Sequence, residues 1–178
     1  SKKEIELGVA EIKSKYKKVD LIYSANTLSH IANLNSVFKS ICHVLSEDGV
    51  LIIEDPSLME CLKINAYDQF YNEHIYVFSL IAVSNIIRKY NLEVFNVENL
   101  KTHGGSIRYF IKRKKNKKIR INKNVEKNLK KEFKFKIDKY KTYINFKKKV
   151  EASKKKLINN FSKIKKRGKK IIGYGSTA

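Results

Sequence analysis

Two short apolar runs separated by one amphipathic stretch restrict the fold of this chain more than any other feature. Residues 20–25, Asp-Leu-Ile-Tyr-Ser-Ala, and 50–54, Val-Leu-Ile-Ile-Glu, are too short for helices and apolar enough to be covered on both faces. Between them Leu34, Val37, Phe38, Ile41 and Leu45 recur at steps of three and four, the spacing of one buried helical stripe. Ser46-Glu47-Asp48-Gly49 is expected to end that helix, and Asp55-Pro56 to end the second strand. Strand, helix, strand with short connections is a parallel crossover, and a parallel sheet needs helices packed against it. The fold class is therefore α/β.

The remaining elements extend this unit. Ile5, Val9, Ile12 and Tyr16 predict an amphipathic helix over residues 4–16, and Ile81, Ile86 and Ile87 mark a third helix over 79–90. Strands are expected over 92–97 and 106–112. The loop between them, which contains Thr102-His103-Gly104-Gly105, is too short for a helical crossover, so they should be antiparallel neighbours. Residues 124–167 contain neither Pro nor Gly, and their apolar residues from Val125 to Ile164 fall at helical spacing. One long helix or two consecutive ones are implied, ended by Gly168, with a short strand over 169–174 to follow. The expected division is a sheet-bearing domain over 1–113 and, over 114–178, a helical linker that opens a further α/β domain. The chain opens on Ser1 and stops within a strand-to-loop transition at Gly173-Tyr174-Gly175, so it is expected to be a fragment of a longer polypeptide.

Charge is distributed unevenly. Residues 1–113 hold 14 Lys and Arg against 13 Asp and Glu, whereas residues 114–178 hold 25 against 4. Such a block could be a nucleic-acid footprint. It is nearly all Lys, however, and its aromatic residues sit at core-like helical spacing, which favours solvated helix faces over a nucleic-acid partner. Binding of anionic small molecules remains compatible with it. Cys42 and Cys61 are far apart and lack paired-thiol spacing, so buried free thiols are expected, with no metal site. No apolar run approaches the ~20 residues of a membrane span and no signal peptide is visible, so a cytoplasmic protein without a membrane partner is expected.

The chemistry concentrates in residues 71–79, Tyr71-Asn72-Glu73-His74-Ile75-Tyr76-Val77-Phe78-Ser79. A helix starting near Ser79 leaves Glu73 and His74 on the loop before it, where a scaffold can present reactive groups. Imidazole titrates near neutrality and can accept a proton from carbon or oxygen. The neighbouring carboxylate could fix its tautomer or handle a second proton. The competing reading is a histidine packed with Tyr76 and Phe78 as an aromatic lid.

Four stretches together resemble the S-adenosylmethionine-dependent C-methyltransferases of nucleotide-linked deoxysugars. Asp20-Leu21-Ile22-Tyr23-Ser24-Ala25-Asn26, running to His30-Ile31, resembles a family strand followed by Asn and His. The run from Asp48 to Glu54 with Pro56 resembles the next strand and its exit. Tyr71-Asn72-Glu73-His74 resembles the family's Tyr, any residue, Glu, His motif, and residues 102–108 resemble the glycine loop that follows it. Gly173-Tyr174-Gly175 resembles a glycine motif of the family's C-terminal domain, although Ser176-Thr177 departs from the usual small residue and proline. The resemblance implies the second half of a class I methyltransferase Rossmann-like sheet, followed by long helices that open a C-terminal α/β domain.

It also implies roles. His74 would be the base, with Glu73 and Tyr71 positioning it or stabilising developing charge. Ser24, Ala25, Asn26 and His30 would border the S-adenosyl-L-methionine cofactor, and His103, Gly104, Gly105 and Arg108 a nucleotide-sugar substrate. Arg108 could meet a phosphate or lie on the surface, and His30 could line the site or cap the next helix. The family's zinc-binding N-terminal domain and glycine-rich cofactor turn have no counterpart in these residues, so zinc is expected only outside this chain. Two rivals are a related methyltransferase acting on another small molecule or a sugar oxygen, and a basic helical RNA-binding protein.

Overall fold

The computed structural model describes Glu11, Lys15 and residues 17–173. Glu11 and Lys15 are helical, and the other residues of the helix expected over 4–16 lie outside the described residues. Two compact units divide between Asp138 and Lys139.

The first unit is built on four strands: β1 (Val19–Ala25), β2 (Leu45–Pro56), β3 (Leu92–Leu100) and β4 (Ser106–Arg113), in spatial order β1-β2-β4-β3. β1 and β2 are parallel, and β4 lies antiparallel between β2 and β3, so the last two strands are antiparallel neighbours as their short loop requires. Between the strands run α1 (Leu34–Val44), α2 (Leu58–Ile64) and α3 (Leu80–Arg88), and α4 (Lys123–Phe135) follows the sheet. The helix starts follow from local side-chain chemistry: Asn33 accepts the Ser36 N–H, Ser57 the Glu60 N–H and Ser79 the Ala82 N–H. Phe38, Leu45, Leu51, Ile53, Leu80, Ile87 and Ile111 form one core between sheet and helices. Truncating a core ring such as Phe38 to Ala would cost about 3–5 kcal/mol.

The structure corrects the sequence reading at three places. First, residues 46–49 do not separate α1 from β2, because the helix passes directly into a strand of 12 residues. Val19 pairs with Leu45 while Leu21 pairs with Val50, so the extra residues bulge out of the ladder. A Cβ on Gly49 would come within 2.7 Å of Leu45 Cδ1, which explains the glycine. Arg113 secures the junction by donating to the carbonyls of Cys42, Leu45 and Ser46 at 2.7, 2.7 and 3.1 Å. Second, α2 was not among the expected elements; at seven residues it is too short to show a helical period. Third, residues 169–173 form no strand, and the remainder of that expected strand and of the glycine motif, from Tyr174 on, lies outside the described residues. A strand exists by pairing, and none of the described strands pairs with them.

The second unit is dominated by α5 (Tyr140–Lys166), 27 residues with none buried, closed by Gly168 at φ +69°. The helical stretch is thus two helices, interrupted where Lys136 adopts φ +60°. Cys61 is buried and Cys42 half-buried, both free. Burial raises both thiols, that of Cys61 to about 11 with help from Asp68, which suits inert core residues. No helix among the described residues is long and apolar enough to cross a membrane.

Candidate functional site

Parallel strands β1 and β2 end at the same edge, where Ala25 pairs with Glu54. Ligands of α/β sheets gather outside such carboxyl ends. Asn26 turns the chain there at φ +49°, a conformation that Asn tolerates better than most residues, and its N–H binds the Glu54 carbonyl at 2.8 Å. Thr27 Oγ1 donates to the Ala25 carbonyl, and a single helical turn, Leu28–His30, follows. From the far side of the sheet the Thr102–Gly104 turn brings in His103, whose Nε2 accepts from the Asn26 amide at 3.3 Å. Two residues 77 positions apart, assigned by sequence to cofactor and substrate, therefore meet.

His74 is fixed through both ring nitrogens. Nδ1 lies 2.8 Å from the Gln69 carbonyl and Nε2 2.9 Å from the Tyr71 hydroxyl. A carbonyl can only accept, so the neutral ring carries its hydrogen on Nδ1, and the Nε2 lone pair accepts the Tyr71 O–H. The His30 ring meets the His74 ring edge-on, with centroids 4.8 Å apart. The loop is tied down by Tyr76 N–H to the Ser29 carbonyl, Tyr76 Oη to the Ala32 carbonyl, and Leu58 N–H to the Phe78 carbonyl. The Tyr76 and Phe78 rings stack on each other with centroids 5.7 Å apart, while the ring contacts of His74 are with His30 and Tyr71. Glu73 is exposed, and among the described residues no hydrogen bond or ion pair joins its carboxylate to His74. Orientation of the ring falls to Gln69 and Tyr71.

One residue that sequence reasoning passed over lies beneath this cluster. Asp55, at the carboxyl end of β2, is fully buried; its Oδ1 accepts a long 3.4 Å bond from the Ser29 N–H, and among the described residues its Oδ2 has no partner in hydrogen-bonding geometry. Burial pushes its carboxyl above the ordinary range, while Ser29, His30 and His74 pull it back down. The signal was an acidic residue at the end of a parallel strand, read only as part of an Asp-Pro stop.

Arg108 is otherwise engaged. Its Nη2 reaches Glu54 Oε2 at 2.8 Å and its Nη1 Glu98 Oε2 at 3.3 Å. Two carboxylates already match the guanidinium, so a phosphate would have to displace one of them. Gly104 and Gly105, with Met59, Glu60, Lys101 and Lys131, line an open cleft of about 540 Å³. A Cβ on Gly105 would lie 2.7 Å from Glu60 Cβ, and its φ is +125°, so both space and conformation demand glycine. Among the described residues no His, Cys, Asp and Glu cluster could hold a metal.

A family model described as methyltransferase domain matches residues 3–97, more than half of the chain. The chain belongs to the methyltransferase domain family. A model for the C-methyltransferase C-terminal domain matches residues 101–178 of this methyltransferase chain. The C-methyltransferase NovU of Streptomyces niveus is 32% identical over 100 residues, 56% of this chain and 24% of that protein, so the chain spans about a quarter of the curated relative's length. Among solved structures, magnesium protoporphyrin IX methyltransferase of Synechocystis PCC 6803, with bound SAH, aligns with TM-score 0.42 and 13% identity over 54% of this chain and 45% of its own. A SAM-dependent methyltransferase of Thermotoga maritima, described as a possible histamine N-methyltransferase, aligns with TM-score 0.42 and 19% identity, covering 54% and 56%.

Proposed function

We propose that this methyltransferase chain carries the proton-abstracting half of an S-adenosyl-L-methionine-dependent C-methyltransferase acting on a nucleotide-linked keto-deoxysugar. The observation that carries the reading is the His74 ring, locked with its hydrogen on Nδ1 against Gln69 and its lone pair on Nε2 beside Tyr71. A ketone acidifies the C–H bond on the neighbouring carbon, and a base of near-neutral pKa can break it. The proton passes to His74 Nε2 and the electron pair to the enolate, whose carbon would take up the methyl group that a bound cofactor supplies, the sulfonium–methyl bond breaking to leave a neutral thioether. The Tyr71 hydroxyl, released from Nε2 as that atom becomes protonated, is placed to donate to developing negative charge.

Bound cofactor supplies an electrophilic methyl on a sulfonium. Ser24 and Ala25, half-buried at the end of β1, and the exposed Asn26 amide beyond them fit a polar ligand at the sheet edge, and His30 continues that border. Asn26 also holds His103, which places the glycine loop with Gly104 and Gly105 beside the same edge for the substrate. Glu73 is exposed in the base's own loop and Arg108 is paired with two carboxylates, so both rank behind His74, Tyr71 and His103.

A methyl-transfer assay on the full-length polypeptide tests this, with labelled cofactor, nucleotide-linked keto sugars, and solvent deuterium exchange followed at the carbon beside the ketone. Transfer to carbon is expected, with exchange falling about 10²–10⁴-fold in His74→Ala. Transfer to oxygen, or exchange that survives in His74→Ala, would remove the enolate mechanism and its base.

A further inference from the structure

We propose that Asp55 is a positioning residue for the base, its buried carboxylate supplying the negative charge opposite which the His74–His30 pair holds the proton taken from the substrate. The inference rests on the reading of His74 as that base. It starts from an anomaly of satisfaction. A fully buried carboxylate normally gathers several donors, yet among the described residues Asp55 draws on Ser29 alone: the N–H at a long 3.4 Å, and the hydroxyl, which lowers the carboxyl without a well-formed hydrogen bond, while Oδ2 is buried with no partner in hydrogen-bonding geometry. A carboxylate left so poorly bonded costs stability, and such groups concentrate where function requires them.

Its placement says which function. Ser29 lies against Asp55, and its carbonyl holds the Tyr76 N–H, which fixes the loop carrying His74. His30 is next in the chain and stands edge-on to the His74 ring at 4.8 Å. One residue, Ser29, thus connects the buried carboxylate to both imidazoles. The charges are coupled as well: His30 and His74 both lower the Asp55 carboxyl against the upward push of burial. Asp55 in turn acts on the buried hydroxyl of Tyr109 on β4, which is raised well above its ordinary value by burial, then by Glu132 and Asp55. It stays neutral and leaves the carboxylate as the charge beneath the rings. On the solvent side of His74 stand Tyr71 and the exposed Glu73.

Atoms and charge balance without a further reactant. The substrate C–H bond breaks, its electron pair goes to the enolate, and its proton becomes the second hydrogen of the His74 ring until solvent removes it. Deleting the carboxylate therefore weakens proton uptake without removing the base.

Carbon-detected NMR titration of the Asp55 side-chain carboxyl, in the chain as it stands and with His74→Gln or His30→Gln, measures the coupling directly. Its midpoint is expected to rise by about half a pH unit or more in each variant. An unmoved midpoint in both variants overturns the proposal. In the full-length polypeptide, Asp55→Asn is expected to slow solvent exchange into the keto sugar about tenfold and to move the acid limb of its pH profile toward lower pH, with KM little changed. A profile that keeps its position also overturns it. Should wild type turn over no keto sugar, the functional reading fails, and the carboxyl titration still decides whether Asp55 and the two rings share charge.

Discussion

The Tyr71 hydroxyl lies 2.9 Å from Nε2 of His74, so the ring atom placed to accept a proton is already held by a donor three residues earlier in the chain. Tyr71→Phe keeps the ring, whose centroid lies 4.1 Å from that of His74, and removes the O–H. Turnover is expected to fall about tenfold, near the worth of one hydrogen bond to charge developing in the transition state. Steady-state kinetics with the keto sugar checks this, and an unchanged kcat would assign Tyr71 to packing alone.

Gly105→Ala should damage the loop that presents His103. The new methyl would meet Glu60 Cβ at 2.7 Å on a backbone at φ +125°. A loss of about 1–3 kcal/mol is expected in urea denaturation. Gly168→Ala is the comparison, with positive φ but nothing within 4 Å, and should cost less.

Much of this arrangement was legible in the sequence. The paired apolar runs with a helical stripe between them imply β1, α1 and β2, and the short glycine loop implies the reversal from β3 to β4. His74 and Tyr71 stood out because base and aromatic rings crowd into nine positions. The meeting of Asn26 with His103 was not legible, since it depends on two loops reaching one sheet edge from opposite sides. Asp55 was hidden for another reason: burial without partners is a property of the packed interior, and an Asp before a Pro reads locally as a turn. The bulge at 46–49 escaped because Ser-Glu-Asp-Gly carries every local signal of a helix stop, and the groups that tie it down, Asp20 on Ser46, Lys115 on Glu47, Lys118 on Asp48 and Arg113 at the junction, are distant in sequence.

Glu132 provides a stability test. It is buried on α4, and its two carboxylate oxygens accept the N–H groups of Leu80 and Ile81 at 2.7 and 2.9 Å, at the open end of α3. Glu132→Ala leaves both donors without acceptors and is expected to cost about 3 kcal/mol. Faster amide exchange at Leu80 and Ile81 would localise the loss, and unchanged exchange there would refute it.

Burial raises the carboxyls of Asp55 and Glu132 above their ordinary values of 3.8 and 4.5. Between the ordinary and the native value the folded state binds more protons than the unfolded chain, so the contribution of each group to stability falls as pH rises through that window. Asp55→Asn does not titrate. Its melting temperature relative to wild type should therefore be most favourable above the native titration range of Asp55 and become less so as the pH is lowered through that range toward the ordinary value of 3.8. A difference that is flat with pH, or of opposite slope, would contradict the assignment.

The grip of Glu132 on the start of α3 has a consequence for dividing the gene. Glu132 lies in the stretch that matches the C-terminal domain model, and α3 in the stretch that matches the methyltransferase domain model. The two matches abut in the sequence, yet one contributes the acceptors that finish the other's helix, immediately after the loop carrying His74. An expression boundary drawn where the models change would leave a buried helix end with open donors beside the proposed base. A self-sufficient piece of the first unit has to run through Glu132, and recombining such domains between relatives requires that the carboxylate and the helix it closes travel together.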